Sequence, residues 1–222
     1  MWIAVLVWLG TMLEAYMLGS IDTGIIVSKL LYHDDVRTHG SGAAGMTNML
    51  RTFGKKAAAM TAFGDVLKSF IAVRIGMLLF AAAAAHTGFP PLCGGCLAAL
   101  FALIGHLCPL YFEFRGGKGV LVAAGAILAM QWPLIFVLAA IFLVCFLPTR
   151  MVSLGSIVMA VSYPFLTVLY GVFVLHLSTQ NLVITTTCAV LIGGIIVYMH
   201  RSNIKRILAG TEYRFDGKHK KQ

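Results

Sequence analysis

Long apolar stretches alternate with short polar segments along the whole chain. A transmembrane helix needs about 20 consecutive, mostly apolar residues, which predicts seven such helices, at residues 2–31, 55–85, 92–112, 119–130, 133–147, 152–175 and 182–200. The fourth and fifth segments are short, and only Trp132-Pro133 separates them. The apolar pattern therefore leaves open a single kinked helix there, which would give six helices in total.

The composition places the chain among membrane proteins. Hydrophobic residues make up 59% and charged residues 11% of the 222 residues, and the mean hydropathy is +0.90. A soluble domain is about 45–50% apolar and about 25% charged. We therefore predict an all-α polytopic membrane protein. No basic residue precedes the first apolar segment and no small-residue cleavage site ends a short core, so a signal peptide is not expected.

The basic residues lie on alternate loops. Lys and Arg occur between predicted helices one and two, three and four, and five and six, and after helix seven, whereas loops 86–91, 131–132 and 176–181 contain none. Because basic loops face the cytoplasm, the N-terminus is predicted outside and the C-terminus inside. Merging the fourth and fifth segments would put Arg150 outside, so the charges favour seven helices. Orientation thus explains the net charge of +9, and nucleic-acid binding is not expected.

The chain is predicted to form one domain, a seven-helix membrane domain at residues 1–210, followed by a short polar, basic cytoplasmic tail at residues 211–222. Ionisable residues within the helices are candidates for function. Asp65 and Lys68 are three positions apart, so they share a helix face and can form a structural ion pair. Asp22 is expected at the interface or beside a site. Arg74 lies deeper, where it can extend to the interface or face the bundle.

The first of four polar clusters spans residues 39–51, His-Gly-Ser-Gly-Ala-Ala-Gly-Met-Thr-Asn-Met-Leu-Arg. Glycines let consecutive backbone N–H groups line a concave surface that suits an anion, and the start of a helix also favours negative charge. Thr47, Asn48 and Arg51 are predicted to begin such a helix beside a phosphate-binding loop. Residues 40–45 match G-x-G-x-x-G, but no strand precedes them, so nicotinamide or flavin binding is rejected.

The second cluster, residues 105–119, places Gly116, Gly117 and Gly119 around Lys118 directly before a helix. Glycine at this density is typical of a close approach by backbone, and we predict a second phosphate-binding turn rather than a plain basic loop. It is not a Walker A loop, because the spacing differs and no Ser or Thr follows the lysine. His106 is expected to pack or hydrogen-bond rather than act as a base.

The third and fourth clusters carry hydroxyl, imidazole and amide groups. Ser153 and Ser156 are three positions apart at a predicted helix start, where capping alone is an alternative explanation. His200 and Asn203 share one helix face and precede Gly210-Thr-Glu212. By the charge rule all four clusters lie on the cytoplasmic side. Such a surface suits a water-soluble, phosphate-bearing substrate that meets an acyl chain.

The five cysteines predict no metal or redox centre. Cys93 and Cys96 have the spacing of a metal or redox pair, but no second pair and no nearby Asp accompanies them. Buried packing residues explain the cysteines better, and neither a metal nor a cofactor is expected.

The order and spacing of the motifs resemble the bacterial membrane acyl-phosphate:glycerol-3-phosphate acyltransferases of the PlsY type. The matching residues are Gly19-Ser20, His39 to Gly42, Gly45, Thr47-Asn48, Arg51, Asp65 to Lys68, Gly105-His106, Pro109, Gly116 to Gly119, Ser153 to Ser156, His200, Asn203 and Gly210 to Glu212. The resemblance covers nearly the whole chain. It implies seven transmembrane helices with the N-terminus outside, in the bacterial inner (cytoplasmic) membrane, with the active site on the cytoplasmic side. Two positions depart from the family, which usually has Pro in place of Asp22 and Asn in place of Ala43.

The resemblance also implies a reaction. The 1-hydroxyl of glycerol 3-phosphate would attack the carbonyl of an acyl phosphate, giving lysophosphatidate and inorganic phosphate, the first acylation step of phospholipid synthesis. The implied catalytic residues are Ser41, Arg51, Lys118, Ser153, Ser156, His200 and Asn203, and the implied phosphate-binding residues are Gly40, Gly42, Gly45, Thr47, Asn48, Gly116, Gly117 and Gly119. Lys118 and Arg51 would hold phosphate groups, and His200 with Asn203 would orient the glycerol phosphate.

Three other functions fit parts of the sequence. A transporter of a phosphorylated solute is possible, although transport predicts inverted repeats and polar groups at mid-bilayer, and no 20–50-residue repeat is visible. A lipid phosphatase would need a nucleophile or metal ligands, and no carboxylate cluster supplies them. A degenerate family member with an altered substrate is a third possibility because of Ala43.

Overall fold

The structure, a computed structural model, describes residues 2–215. Helices account for its regular structure over that range, and they are α1 (Trp2–Gly19), α2 (Thr23–Tyr32), α3 (Met46–Ala82), α4 (Ala84–Thr87), α5 (Pro91–Leu107), α6 (Val120–Gln131), α7 (Pro133–Thr149), α8 (Val152–Phe173), α9 (Thr179–Met199) and α10 (Arg201–Leu208), with short 3₁₀ turns at Val36–Thr38 and Leu110–Phe112. The last part of the predicted tail, residues 216–222, lies outside the described residues.

The regular structure of the described residues is helical, as the apolar pattern predicts, so the prediction of an all-α chain is confirmed. Four helical stretches are long and apolar enough to cross a membrane, namely Trp2–Tyr32, Pro91–Phe112, Val152–Phe173 and Thr179–Met199. The helices α6 and α7 are shorter apolar helices that meet at Trp132.

The prediction of one continuous helix over residues 2–31 is wrong. The chain leaves the helix after Gly19, and α2 begins at Thr23 with Asp22 as its N-cap, whose carboxylate accepts a hydrogen bond of 3.2 Å from the Ile25 backbone N–H. An N-cap carboxylate satisfies an amide that has no partner within the helix. The predicted helix start at Thr47 to Arg51 is confirmed, because α3 begins at Met46. The same helix continues through a kink at Gly54, where φ is +85°, into the second predicted segment.

The long helix α3 lies at the centre of the bundle and packs on α1, α2, α5 and α6. Small residues allow the close approach of backbones that is common in membrane helix pairs. A Cβ on Gly76 would overlap the backbone carbonyl of Gly94 in α5, and the reverse overlap would occur at Gly94. The helices α7, α8 and α9 form a second layer, which contacts the first through α5 and α6.

The outward faces of the helices are apolar, and Phe63, Phe136, Phe165 and Phe173 are among their most exposed side chains. Arg74 also faces outward. Such a surface suits lipid rather than water. The five cysteines form no disulfide, and the packing explanation holds for Cys93, Cys96 and Cys188, which are buried, but not for the exposed Cys108.

Candidate active site

The four polar clusters meet at one cavity of about 400 Å³, enclosed by residues 41–51, by Asp65 of α3 and His106 of α5, by α6 to α10 and by residues 212–213. Its lining includes all seven side chains that sequence reasoning singled out as catalytic: Ser41, Arg51, Lys118, Ser153, Ser156, His200 and Asn203. These residues come from separate parts of the chain, so the prediction that the clusters converge in space is confirmed. Their chemical roles remain a prediction.

Lys118 lies at the polar end of this cavity and joins two of the clusters. Its ammonium donates a hydrogen bond to the side-chain oxygen of Asn203, whose amide nitrogen in turn donates to Glu212 at 2.7 Å. Burial lowers the pKa of Lys118 below its ordinary value, the Arg206 guanidinium lowers it further, and the Glu212 carboxylate partly offsets both effects. A partly desolvated cation of this kind attracts an anionic ligand.

Glu212 connects three donors and is 7% exposed. Its carboxylate accepts hydrogen bonds of 2.7 Å each from Ser153 Oγ, Asn203 Nδ2 and Arg206 Nε. Burial raises the pKa of Glu212, but the three hydrogen bonds lower it by more, so the carboxyl group titrates below its ordinary range. Glu212 therefore fixes the start of α8 and the helix α10 relative to each other.

The capping explanation for the two serines is wrong. Met151 occupies the N-cap of α8 without a side-chain cap. Ser153 Oγ donates to Glu212 instead, and Ser156 Oγ donates to the Val152 carbonyl, one turn earlier in the same helix, at 2.9 Å.

Two guanidinium groups and an aromatic ring form the mouth of the cavity. The guanidinium carbons of Arg51 and Arg206 lie 4.8 and 5.6 Å from the centre of the Tyr213 ring. Cation–π contacts of this length hold such side chains in place without consuming their N–H donors. Together with Lys118, the two arginines surround the Glu212 carboxylate with an excess of positive charge.

His200 is 4% exposed at the end of α9. Its Nδ1 lies 2.8 Å from the Ile196 carbonyl oxygen. Since a carbonyl can only accept, Nδ1 carries the hydrogen, and Nε2 of the neutral ring is left as an acceptor. A hydroxyl group in the cavity could donate to that nitrogen.

The 40–45 loop is built around Asn48, which is 2% exposed. The Asn48 side-chain oxygen accepts from the Ser41 backbone N–H at 3.1 Å, and its nitrogen donates at 3.0 Å to the carbonyls of Val36, His39 and Ala43. Phosphate binding by the Asn48 side chain is therefore wrong for this structure, because its polar atoms already hold the loop. Although Asn48 borders the cavity, its role is to shape the site.

The predicted phosphate-binding glycines divide into two groups. Gly45 and Gly119 line the cavity with Thr47, at the N-termini of α3 and α6. Gly40, Gly42, Gly116 and Gly117 are not among the lining residues. The N–H groups of Gly116 and Gly117 donate to the carbonyls of Leu107 and His106 at 3.3 and 3.2 Å, so the prediction that these two amides bind phosphate is wrong. They anchor the turn to α5 instead.

The rest of the cavity is apolar and extends between α6, α7, α8 and α9. Its lining there includes Leu121, Ala123, Ala124, Ile127, Ile135, Leu138, Ala139, Phe142, Met159, Ala160, Tyr163, Ile192 and Ile196. One cavity thus has a cationic mouth and an apolar interior, an arrangement that can hold an amphiphile with a phosphate at one end.

Sequence reasoning did not assign Arg206 and Tyr213 to the site, and it noted Glu212 without giving it a role. A basic residue in the last turn of a short helix is usually attributed to the helix dipole. The available signal was the run Gly210-Thr-Glu-Tyr213, where a turn-forming glycine precedes an acidic and an aromatic residue.

Comparisons with known proteins agree with this geometry. A family model described as glycerol-3-phosphate acyltransferase matches residues 9–210. The chain is 40% identical to the glycerol-3-phosphate acyltransferase of Clostridioides difficile over 204 residues. This alignment covers 92% of this chain and 93% of that relative. It is 38% identical over 199 residues to that of Bacillus subtilis, with 89% and 92% covered.

The fold also matches solved structures. A crystal structure of PlsY (YgiH), an integral membrane glycerol 3-phosphate acyltransferase in its glycerol 3-phosphate form, aligns with a TM-score of 0.78 and 34% identity over 94% of this chain and 95% of that one. The lysophosphatidic acid form of that enzyme aligns with a TM-score of 0.77 and 33% identity, with the same coverage.

Proposed function

The chain belongs to the glycerol-3-phosphate acyltransferase family, and we propose that it transfers a fatty acyl group from an acyl phosphate to the 1-hydroxyl of glycerol 3-phosphate. The observation that carries this proposal is the single cavity in which a cationic mouth, formed by Arg51, Lys118 and Arg206, continues into an apolar interior. Acyl transfer needs both parts, because one reactant is a small dianion and the other carries a long apolar chain.

In the proposed reaction the hydroxyl oxygen attacks the acyl carbonyl carbon. The new ester C–O bond forms, the C–O bond of the anhydride breaks, and phosphate leaves with the bonding electrons. The hydroxyl proton is taken by a substrate phosphate, so no protein general base is required. Since the anhydride is already activated, the enzyme contributes mainly positioning and charge stabilisation.

In this proposal, different side chains bind the phosphate groups, the glycerol hydroxyl and the acyl chain. Arg51 and Lys118 bind phosphate groups, with Gly45, Thr47 and Gly119 at two helix N-termini supporting the negative charge. His200 accepts a hydrogen bond from the glycerol hydroxyl through Nε2, which its Nδ1 contact with Ile196 makes available. The apolar side chains of α6 to α9 surround the acyl chain.

We further propose that the chain has seven transmembrane helices, with its N-terminus outside and the cavity mouth at the cytoplasmic face of the bacterial inner membrane. The distribution of Lys and Arg supports this orientation. The exposed phenylalanines on the outward faces support contact with lipid.

A donor comparison tests the proposed reaction. Purified protein in detergent is supplied with glycerol 3-phosphate and either palmitoyl phosphate or a palmitoyl thioester, and lysophosphatidate is measured. We expect product with the acyl phosphate and release of one phosphate per ester formed. Product from the thioester alone would overturn the choice of donor, and phosphate release without consumption of glycerol 3-phosphate would indicate a phosphatase.

A further inference from the structure

A second polar cluster lies inside the bundle at the inner wall of the cavity, which two of its members, Asp65 and His106, help to line. It consists of Asp22, Asp65, Lys68 and His106, which are 0%, 1%, 6% and 2% exposed. Burying a charge is costly unless it is paired and hydrogen-bonded. Four such residues placed together therefore need a role, and the acyl-transfer chemistry described above does not use them.

Lys68 joins three segments of the chain at this cluster. Its ammonium lies 2.9 Å from the Asp65 carboxylate, one turn away in α3, so the predicted ion pair is confirmed. It also donates a hydrogen bond of 2.8 Å to the Ile21 carbonyl, between α1 and α2, and lies 2.9 Å from His106 Nδ1 in α5.

The contact with Lys68 fixes the hydrogen on the His106 ring. An ammonium group has donors only, so Nδ1 must accept and the hydrogen of the neutral ring lies on Nε2. The Asp22 carboxylate, 3.7 Å from Nδ1, lies on the same side. The other side of the ring packs against Gly117, where any Cβ would overlap Nε2.

His106 therefore contacts the turn that carries Lys118. Its backbone carbonyl accepts the Gly117 N–H, its ring fills the space beside the Gly117 Cα, and the next residue is Lys118. The start of α2, which Asp22 caps, packs against the other phosphate-binding loop, because a Cβ on Gly24 would overlap the Ala44 carbonyl. The buried cluster thus supports the loops on both sides of the cavity mouth.

We propose that Lys68 is a positioning residue for acyl transfer, acting through His106 to place the turn that carries Lys118. This inference rests on the proposed function, and it assigns a role to Lys68, which is not among the residues that line the cavity. A shift of about 1 Å in a positioned group can reduce a rate by about 100-fold. A displaced Lys118 turn should therefore lower the rate of acyl transfer measurably.

Removing Lys68 alone would leave the buried carboxylates of Asp22 and Asp65 without a neutralising charge and could prevent folding. The test therefore uses a neutral variant, Asp22→Asn/Asp65→Asn/Lys68→Met, in which the amide introduced at position 22 can still cap α2. A second variant, His106→Phe, keeps a ring against Gly117 but cannot accept from Lys68. Arg74→Met is the matched control, since Arg74 is an exposed basic residue of the same helix.

The measurements are kcat/KM for glycerol 3-phosphate and the thermal unfolding midpoint in detergent. We expect the neutral variant and His106→Phe each to lose about tenfold or more in kcat/KM while the midpoints stay within a few degrees of the wild-type value. Both variants remove the contact between Lys68 and His106. The variant that combines them should therefore lose little more kcat/KM than either variant alone. Arg74→Met should behave as wild type.

A neutral variant that folds and keeps wild-type kcat/KM would overturn the inference, as would fully multiplicative losses in the combined variant. Loss of activity that only follows loss of folded protein would show a purely structural cluster and overturn it too. A wild-type protein without acyltransferase activity would instead refute the proposed function, so the two failures can be told apart.

Discussion

The ammonium of Lys118 donates a hydrogen bond to the side-chain oxygen of Asn203, a residue 85 positions further along the chain. This contact joins the glycine-rich turn before α6 to the start of α10, and through Asn203 it reaches Glu212. The cationic mouth of the cavity therefore depends on a contact that no local segment could form by itself.

Replacing Lys118 should remove a cation that the proposed function assigns to phosphate binding. We expect Lys118→Met to lower kcat/KM by about 100-fold or more, the usual cost of losing a preorganised charge-stabilising donor, with little change in the thermal midpoint. Lys55→Met is the control, because Lys55 is an exposed lysine on α3. Activity of Lys118→Met within about threefold of wild type would contradict this role.

Glu212 should matter for both activity and stability. Glu212→Ala leaves Ser153, Asn203 and Arg206 without their acceptor, and an unsatisfied buried donor costs about 1–3 kcal/mol. We expect a lower thermal midpoint and a loss of activity larger than that of Glu212→Gln, which keeps one acceptor oxygen. Equal behaviour of the two variants would show that the hydrogen bonds of Glu212 carry little of the effect.

The lowered pKa of Glu212 predicts a pH dependence with a definite sign. A carboxyl group whose pKa is depressed by folding stabilises the protein above its unfolded pKa, about 4.3, and that contribution is lost as the pH falls through the lower folded value. The gap in thermal midpoint between wild type and Glu212→Gln should therefore be constant near neutral pH and shrink below about pH 4. A gap that widens on acidification would contradict the pKa direction.

The two serines of α8 should differ in importance. Ser153 contacts Glu212 and so belongs to the polar network, whereas Ser156 hydrogen-bonds to its own helix. We expect Ser153→Ala to reduce kcat/KM by about tenfold, equivalent to about 1.4 kcal/mol, and Ser156→Ala to reduce it less. Steady-state kinetics of the two variants give the two losses of kcat/KM. A larger loss for Ser156→Ala than for Ser153→Ala would indicate that Ser156 contacts the substrate.

The apolar interior should set the length of the acyl chain. Ala124 is a half-buried cavity residue of α6, and Ala124→Phe would fill space that a long chain needs. We expect activity with palmitoyl phosphate to fall by about tenfold or more and activity with an octanoyl donor to fall less, because a shorter chain needs less of the space that the new ring fills. A parallel loss for both donors would place the acyl chain elsewhere.

Much of the helix content could be predicted from the apolar pattern, because the length of an apolar run determines whether a segment can form a membrane-spanning helix. The break at Ser20 was missed because Asp22 interrupts an otherwise apolar run by capping a new helix, and one polar residue is a weak signal. The convergence of Ser41, Lys118 and His200 followed from placing every basic loop on one side, which required no knowledge of contacts.

The fine structure of the site could not be predicted in the same way. Asn48 was assigned to a ligand although its amide serves the loop itself, because a loop-shaping and a ligand-binding asparagine look alike in sequence. Tyr213 acquires its position only when the segment after α10 folds back over Arg51 and Arg206. Such long-range contacts depend on tertiary packing, which residue spacing does not encode.

Incorporation of radiolabelled glycerol 3-phosphate into lipid tests the proposed acyl transfer most directly. Purified wild-type protein is incubated with palmitoyl phosphate and labelled glycerol 3-phosphate, with Lys118→Met as the matched variant, and labelled lysophosphatidate is counted. We predict that wild type forms labelled lysophosphatidate and that the variant forms about 100-fold less. If folded wild-type protein formed no more product than Lys118→Met, that result would contradict the proposal that this cavity joins an acyl group to glycerol 3-phosphate.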